Sequence, residues 1–155
     1  MIIKILLTLL VILIILVCVY FYFLSFTSVV PQAQLENNSL RPCPNKPNCV
    51  SSESEQPYAS IDPIGYSLSD EQAWSDIGSS VQDAGGSIKQ QGNNFLWATF
   101  TSQIFRFVDD VEIRMDTNKK LIHIRSASRA GHSDLGVNRK RVEKIRSLFE
   151  QKQKQ

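Results

Sequence analysis

The chain has 155 residues, a formal net charge of +2 and three cysteines. Once its apolar N-terminus is set aside, about 100 residues remain, which is enough for one small domain with a single hydrophobic core. Acidic residues predominate between residues 49 and 112, and basic residues predominate from residue 125 onward. This asymmetry indicates either an anion-binding or membrane-surface face, or a solvated basic helix that pairs with acids of its own domain. The basic stretch lacks interleaved aromatic residues, which argues against nucleic acid as a partner.

Residues 5–24 form an uncharged apolar run near the N-terminus. A helix of about 20 residues spans roughly 30 Å, the thickness of a bilayer hydrocarbon core. Tyr20 and Tyr22 lie near its end, where amphipathic rings favour the membrane interface. A cleaved signal peptide is the alternative, but the run is long for a signal core and no small-residue cleavage site follows closely. We therefore predict a single-pass membrane anchor, and Lys4 favours a cytoplasmic N-terminus with the body outside the cytoplasm, in the periplasm or the extracellular space.

A polar segment with two cysteines follows the anchor. Residues 25–41 are rich in asparagine and glutamine, which is typical of a stalk. Cys43 and Cys49 then enclose a proline-rich loop, and an oxidising compartment would favour a disulfide between them. A metal site is less favoured, because His123 and His132 are both distant in sequence. We expect no metal and no cofactor.

Helical and strand patterns alternate in the rest of the chain. A capping box at residues 69–72 predicts the start of a helix, and the glycine pair at 85–86 predicts its end. Strands are predicted at residues 87–91, 95–102, 104–115 and 121–128. A last helix begins near Asp134 or Asn138. We therefore predict an α+β fold, in which an antiparallel sheet of about four strands carries two helices on one face and follows the N-terminal transmembrane helix. Anchor, stalk, soluble domain and basic tail are expected at residues 1–24, 25–41, 42–150 and 151–155.

Two neighbouring aspartates lie in the second predicted hairpin. If the turn keeps the apolar faces of its strands together, Asp110 lies opposite Arg125 as a cross-strand ion pair. Asp109 then falls on the apolar face, opposite Ser126, where an ionised carboxylate is costly unless it is paired or hydrogen-bonded. Either a β-bulge turns Asp109 outward, or its side chain lies in a polar hole of the core near Ser126 and Ser128.

The stretch at residues 125–141 has the sequence RSASRAGHSDLGVNRKR, and no apolar period runs through its middle. Burial alone does not explain such a stretch, so it is the candidate site. Asn138 has two interpretations, as the N-cap of the last helix or as a side chain that faces a ligand. The candidate ligand-binding residues are Asp109, Arg125, Ser128, Arg129, Asp134, Asn138, Arg139 and Arg141.

Several uncommon motifs occur in a fixed order along the chain. They are CPNKPNCVSS at residues 43–52, the helix with Trp74, FRFVDDVE at residues 105–112, and the stretch at residues 125–141. Together they resemble the family of unknown function DUF1499, and the resemblance covers roughly residues 42–149. It implies a secreted, lumenal or membrane-anchored protein. No reaction can be carried over, because the family has no established biochemical function.

Three functions are compatible with these residues. In the first, the arginines bind an anionic small molecule or a lipid headgroup at the membrane. In the second, the chain is an enzyme, with Asp109, His132 and Asp134 as general acid and base. No nucleophile stands beside a base at a known spacing, which disfavours the enzyme. In the third, the arginines pair with acids of the same domain, and the chain is a structural or protein-interaction domain.

Overall fold

The computed structural model describes residues 1–154. It contains three helices, α1 (Ile2–Phe26), α2 (Asp70–Asp83) and α3 (Val137–Lys152). Its strands are β1 (Cys49–Ser51), β2 (Ile64–Gly65), β3 (Ser87–Gln91), β4 (Phe95–Thr101), β5 (Val108–Asp116) and β6 (Leu121–Ser128). The predicted α+β class with an antiparallel sheet and an N-terminal apolar helix is confirmed. The sheet has six strands rather than about four. The two strands that were not predicted, β1 and β2, are too short for an alternating pattern to be recognised in the sequence.

The sheet runs in the order β1-β6-β5-β4-β3, and β2 pairs with β6 beside β1. All of these pairs are antiparallel. Helices α2 and α3 contact each other, and they pack on one face of the sheet over a single hydrophobic core. The largest fully buried apolar side chains of this core include Phe149, Ile77, Leu96, Ile113, Ile124 and Ile145. The opposite face of the sheet carries polar and charged side chains.

Local signals in the sequence place α2 correctly. The Ser69 hydroxyl accepts a hydrogen bond from the Gln72 amide at 3.2 Å, as expected for an N-cap. Ala73, Ile77 and Val81 form its buried stripe. The helix ends before Gly85, whose φ of +103° is a left-handed conformation that glycine adopts without strain.

The β5–β6 hairpin has a different register from the predicted one. Asp116 pairs with Leu121, which leaves a four-residue turn between the strands. The pairing is therefore displaced by two residues, and Arg125 lies opposite Glu112 rather than Asp110. Each side chain of the hairpin still lies on the face of the sheet that was predicted for it, because a displacement of two residues preserves the alternation of a strand.

Strand β5 begins at Val108, so the predicted strand start at residue 104 is wrong. Residues 102–107 form a loop instead. Ser102 and Phe107 close this loop, because the Ser102 amide donates to the Phe107 carbonyl at 2.8 Å and the Phe107 amide donates to the Ser102 hydroxyl at 2.9 Å. Arg106 has a φ of +58°, which interrupts the extended backbone between the two strands.

Helix α1 is long and apolar enough to cross a membrane, a property that a membrane anchor shares with an N-terminal signal sequence. It extends to Phe26, two residues beyond the predicted end of the anchor. The predicted disulfide between Cys43 and Cys49 is present, with a Cα–Cα distance of 5.7 Å. Such a bond persists in an oxidising compartment.

Candidate functional site

The two faces of the sheet divide the candidate residues into two clusters. Because side chains alternate along a strand, Asp109 lies on the helix-covered face, and Asp110 lies on the opposite face. Both aspartates pair in an unbroken register with β4 and with β6, so no bulge turns Asp109 outward. The helix-side cluster consists of Asp109, Ser126, Ser128, Asn138 and Arg141. The outer-face cluster consists of Asp110, Glu112, Arg125, Arg129 and Arg41.

Arg141 neutralises Asp109 in the helix-side cluster. The Arg141 Nη2 donates to the Asp109 Oδ2 at 2.6 Å, and both side chains are about nine-tenths buried. The Arg141 Nη1 also donates to the Ser126 hydroxyl at 3.0 Å and to the Asn138 Oδ1 at 2.5 Å. The guanidinium lies 4.7 Å from the centre of the Phe100 ring, a cation–π contact. The polar hole predicted around Asp109 is therefore filled by a side chain of α3.

Asn138 is fully buried, and the domain itself supplies its hydrogen-bond partners. Its Oδ1 accepts from Ser126 and Arg141, while its Nδ2 donates to the Asn48 carbonyl and the Ser128 hydroxyl, both at 3.0 Å. Asn138 thus joins α3, β6 and the loop before β1. Its interpretation as the N-cap of α3 is wrong, since α3 begins at Val137 and the Asn138 side chain makes no hydrogen bond with the backbone of this helix.

Asp134 takes the capping role instead. Its Oδ1 accepts from the Gly136 amide at 2.9 Å, and its Oδ2 accepts from the Asn138 amide at 2.8 Å. These are amides at the start of α3, where a carboxylate also meets the positive end of the helix dipole. His132 is exposed, and its side chain makes no hydrogen bond within residues 1–154. Asp109 and Asp134 are therefore bonded to different groups, His132 is exposed, and the three side chains proposed as acid and base do not form one site.

Glu112 is the centre of the outer-face cluster. Its carboxylate is fully buried and accepts from Arg41 through the guanidinium Nε and Nη2. The Arg125 Nη1 lies 3.4 Å from the same carboxylate. Burial lowers the pKa of the Arg125 guanidinium, although Glu112 opposes that effect. Two arginines from different parts of the chain thus meet one carboxylate in the middle of β5.

Asp110 has an equally complete set of partners. Arg129 donates to both of its carboxylate oxygens, with each distance 2.8 Å. The Trp97 Nε1 donates to its Oδ1, also at 2.8 Å. This fork-shaped pairing is the geometry that makes arginine–carboxylate bonds strong. Arg129 is therefore already engaged with a carboxylate of its own domain.

Arg139 does not contact either cluster. Its Nη2 donates to the backbone carbonyls of Tyr58 at 3.0 Å and Ser60 at 2.8 Å, so it joins α3 to the loop before β2. With this contact, each of the four candidate arginines has an acceptor from the same chain.

A comparison with family models identifies the domain. A model described as a protein of unknown function (DUF1499) matches residues 39–149. The chain belongs to the DUF1499 family. The matched range contains both clusters and the disulfide, and it leaves out α1. A search of curated proteins found no match to the chain.

A third charged cluster in the DUF1499 domain was not predicted from the sequence. The Arg114 Nε donates to the Glu53 Oε1 at 3.0 Å, and the His123 Nδ1 lies 3.6 Å from the same oxygen. Burial, with a further contribution from Arg114, lowers the pKa of His123. The available signal was the alternation of charges along β5, where Asp110, Glu112 and Arg114 share one face.

A cavity of about 320 Å³ is lined both by the end of α1 and by residues of the DUF1499 domain. Its lining includes Tyr22, Ser25, Ser28, Arg106, Val108 and Arg129. Arg129 borders the cavity although two of its N–H groups are bonded to Asp110. Arg106, whose side chain is exposed, also borders the cavity. Among residues 1–154, no three His, Cys, Asp or Glu side chains are close enough together to hold a metal ion.

Proposed function

We propose that the chain is a membrane-anchored interaction domain outside the cytoplasm, in which the arginine–carboxylate clusters hold the fold together. The observation that carries this proposal is the engagement of all four candidate arginines by acceptors of the same chain. An added anion would have to displace these acceptors, which are carboxylates for Arg125, Arg129 and Arg141 and backbone carbonyls for Arg139. The clusters therefore favour an architectural role over an open anion site.

The connections made by these bonds support the same role. Arg141 joins α3 to β5, Arg129 joins the end of β6 to β5, and Arg41 joins the segment before β1 to β5. Breaking a buried pair by removing one partner leaves an uncompensated charge and is strongly destabilising. Arginines from three separate parts of the chain therefore bind carboxylates of β5, and these bonds fix the positions of the three parts relative to the strand.

Two observations support the anchor and the location outside the cytoplasm. Helix α1 contacts the domain directly, since the Ser25 hydroxyl donates to the Arg106 carbonyl at 2.5 Å and the Phe21 and Phe105 rings lie 5.2 Å apart. A disulfide suits an oxidising compartment. With Lys4 on the cytoplasmic side, the domain would lie in the periplasm or the extracellular space.

The architectural role is tested by Arg129→Ala in the full chain in detergent. The substitution strands Asp110, so the free energy of unfolding should fall by about 3–5 kcal/mol. His132→Ala is the matched control, because His132 lies in the same loop and is exposed. It should change stability by no more than about 0.5 kcal/mol. Near-wild-type thermal stability of Arg129→Ala would refute the architectural role.

A second candidate function is the binding of an anionic group in the cavity beside α1. Arg106 and Arg129 line it, together with Ser25 and Ser28. Native mass spectrometry of the full chain released from membranes tests this candidate. A retained mass that is lost in Arg106→Gln would support it and would identify the bound group. Wild-type protein with a clean apo mass would contradict it.

A further inference from the structure

We propose that the end of the sheet at which β4 and β6 finish and β5 begins is a second membrane contact, which seats the folded domain on the lipid surface. This membrane-facing end consists of the loops at residues 102–107 and 129–136. The two loops lie at the same end, because Val108 begins β5 and its carbonyl accepts from the Arg129 amide at 3.1 Å. The inference rests on the proposed retention of α1 as an anchor, and it is independent of the architectural role of the arginines.

Exposed apolar side chains concentrate at this end. Ile104 at the tip of the first loop is 80% exposed, and Leu135 in the second loop is 89% exposed. Within residues 39–154, the large apolar side chains that are exposed are Tyr58, Ile104, Leu135 and Val137. Single exposed apolar residues are ordinary on a soluble surface. Here three of the four belong to this end or directly follow it, which a random distribution over the surface does not explain.

The anchor helix places this end at the depth of the membrane interface. Phe21 of α1 contacts the rings of Phe105 at 5.2 Å and Phe107 at 6.1 Å. Phe21 lies about one helical turn before Ser25, which itself bonds the Arg106 carbonyl. The first loop is therefore level with the last turns of a helix that crosses the bilayer. Tyr20 and Tyr22 flank Phe21 at the same level, and amphipathic aromatic rings of this kind favour the membrane interface.

Hydrogen bonds fix the shape of the first loop and leave its tip exposed. The reciprocal bonds between Ser102 and Phe107 close its base, and its turn occupies residues 103–105. Arg106 follows the apolar tip with an exposed side chain. A guanidinium next to inserted apolar side chains suits the phosphate groups of a bilayer surface. The occupant of this end is thus a lipid surface that contains anionic headgroups.

The test uses the full chain in vesicles of phosphatidylcholine and phosphatidylglycerol. A single environment-sensitive fluorophore is attached to Ile104→Cys in a Cys18→Ser background, while the disulfide keeps the other two cysteines unreactive. Asn118→Cys is the matched control, because it lies in the turn between β5 and β6 at the opposite end of the sheet. Spin-labelled lipids should quench the label at position 104 several-fold more strongly than the label at position 118. Equal quenching by lipid, with equal quenching by aqueous iodide, would overturn the proposal.

Carbonate extraction of the same vesicles separates the two possible failures. Protein that is released by carbonate would refute the anchor itself, and with it the premise of this proposal. Protein that stays in the vesicles but has a water-exposed label at position 104 would refute only the membrane-facing end. Retention together with lipid quenching at position 104 would support both.

Discussion

The pair formed by Asp109 and Arg141 offers the sharpest test of how this fold is stabilised. Arg141→Met removes the charge while keeping an apolar side chain over the Phe100 ring, so the packing contact largely remains. Asp109 is about nine-tenths buried and would lose its cation. Breaking such a pair costs about 3–5 kcal/mol. At about 4 °C per kcal/mol for a domain of this size, the melting temperature should fall by roughly 12–20 °C.

Thermal unfolding of the full chain in detergent, followed by near-ultraviolet circular dichroism, measures this effect. Lys140→Met is the matched control, because Lys140 precedes Arg141 in α3 and is exposed. The double variant Asp109→Asn with Arg141→Met should lose less than the sum of the single variants, with a coupling of about 1–3 kcal/mol. A melting temperature for Arg141→Met equal to that of Lys140→Met would refute the reasoning, since it would show that Asp109 needs no cation.

Two further predictions concern the disulfide clip, which is the bond between Cys43 and Cys49, and the partly buried His123. Cys43 and Cys49 should resist alkylation until they are reduced, and replacing both with serine should lower the unfolding free energy by about 2 kcal/mol; labelling without a reductant would contradict this. The lowered pKa of His123 means that the unfolded chain takes up a proton at a higher pH than the folded chain, so stability should fall as the pH drops below the usual value of 6.5. The unfolding free energy of His123→Gln, measured by denaturation between about pH 7 and pH 5.5, should fall less than that of the wild type as the pH drops. An equal change of unfolding free energy with pH in the two proteins would contradict this prediction.

The features that could be predicted from the sequence depend on neighbouring residues. The cap at Ser69 and the end of α2 at Gly85 need only a few positions to be recognised. The same is true of the clip between Cys43 and Cys49 and of the long apolar run of α1. The assignment of Asp109 to the apolar face also follows from alternation, which is a local property of a strand.

The features that could not be predicted depend on geometry between distant segments. The predicted register of the β5–β6 hairpin differs from the observed register by two residues. Both registers place the apolar side chains on the same face, and only the length of the turn distinguishes them. Similarly, the bond between Arg41 and Glu112 joins residues on different elements, and no local pattern connects them. The start of the last helix stayed open between Asp134 and Asn138, because both are suitable capping residues in sequence, and only the backbone at the start of α3 decides between them.

The position of β1 has a consequence for the order in which the domain folds. Strands β3, β4 and β5 each pair with the next strand along the chain, so the four strands β3 to β6 can assemble as soon as they are synthesised. Strand β1 is made before them, but its partner is β6, and it has to wait for nearly the whole domain to emerge. The disulfide between Cys43 and Cys49 can form earlier, because the two cysteines are only six residues apart. Oxidation can therefore shape the segment that contains β1 on a nascent chain, ahead of the strand that later completes the sheet.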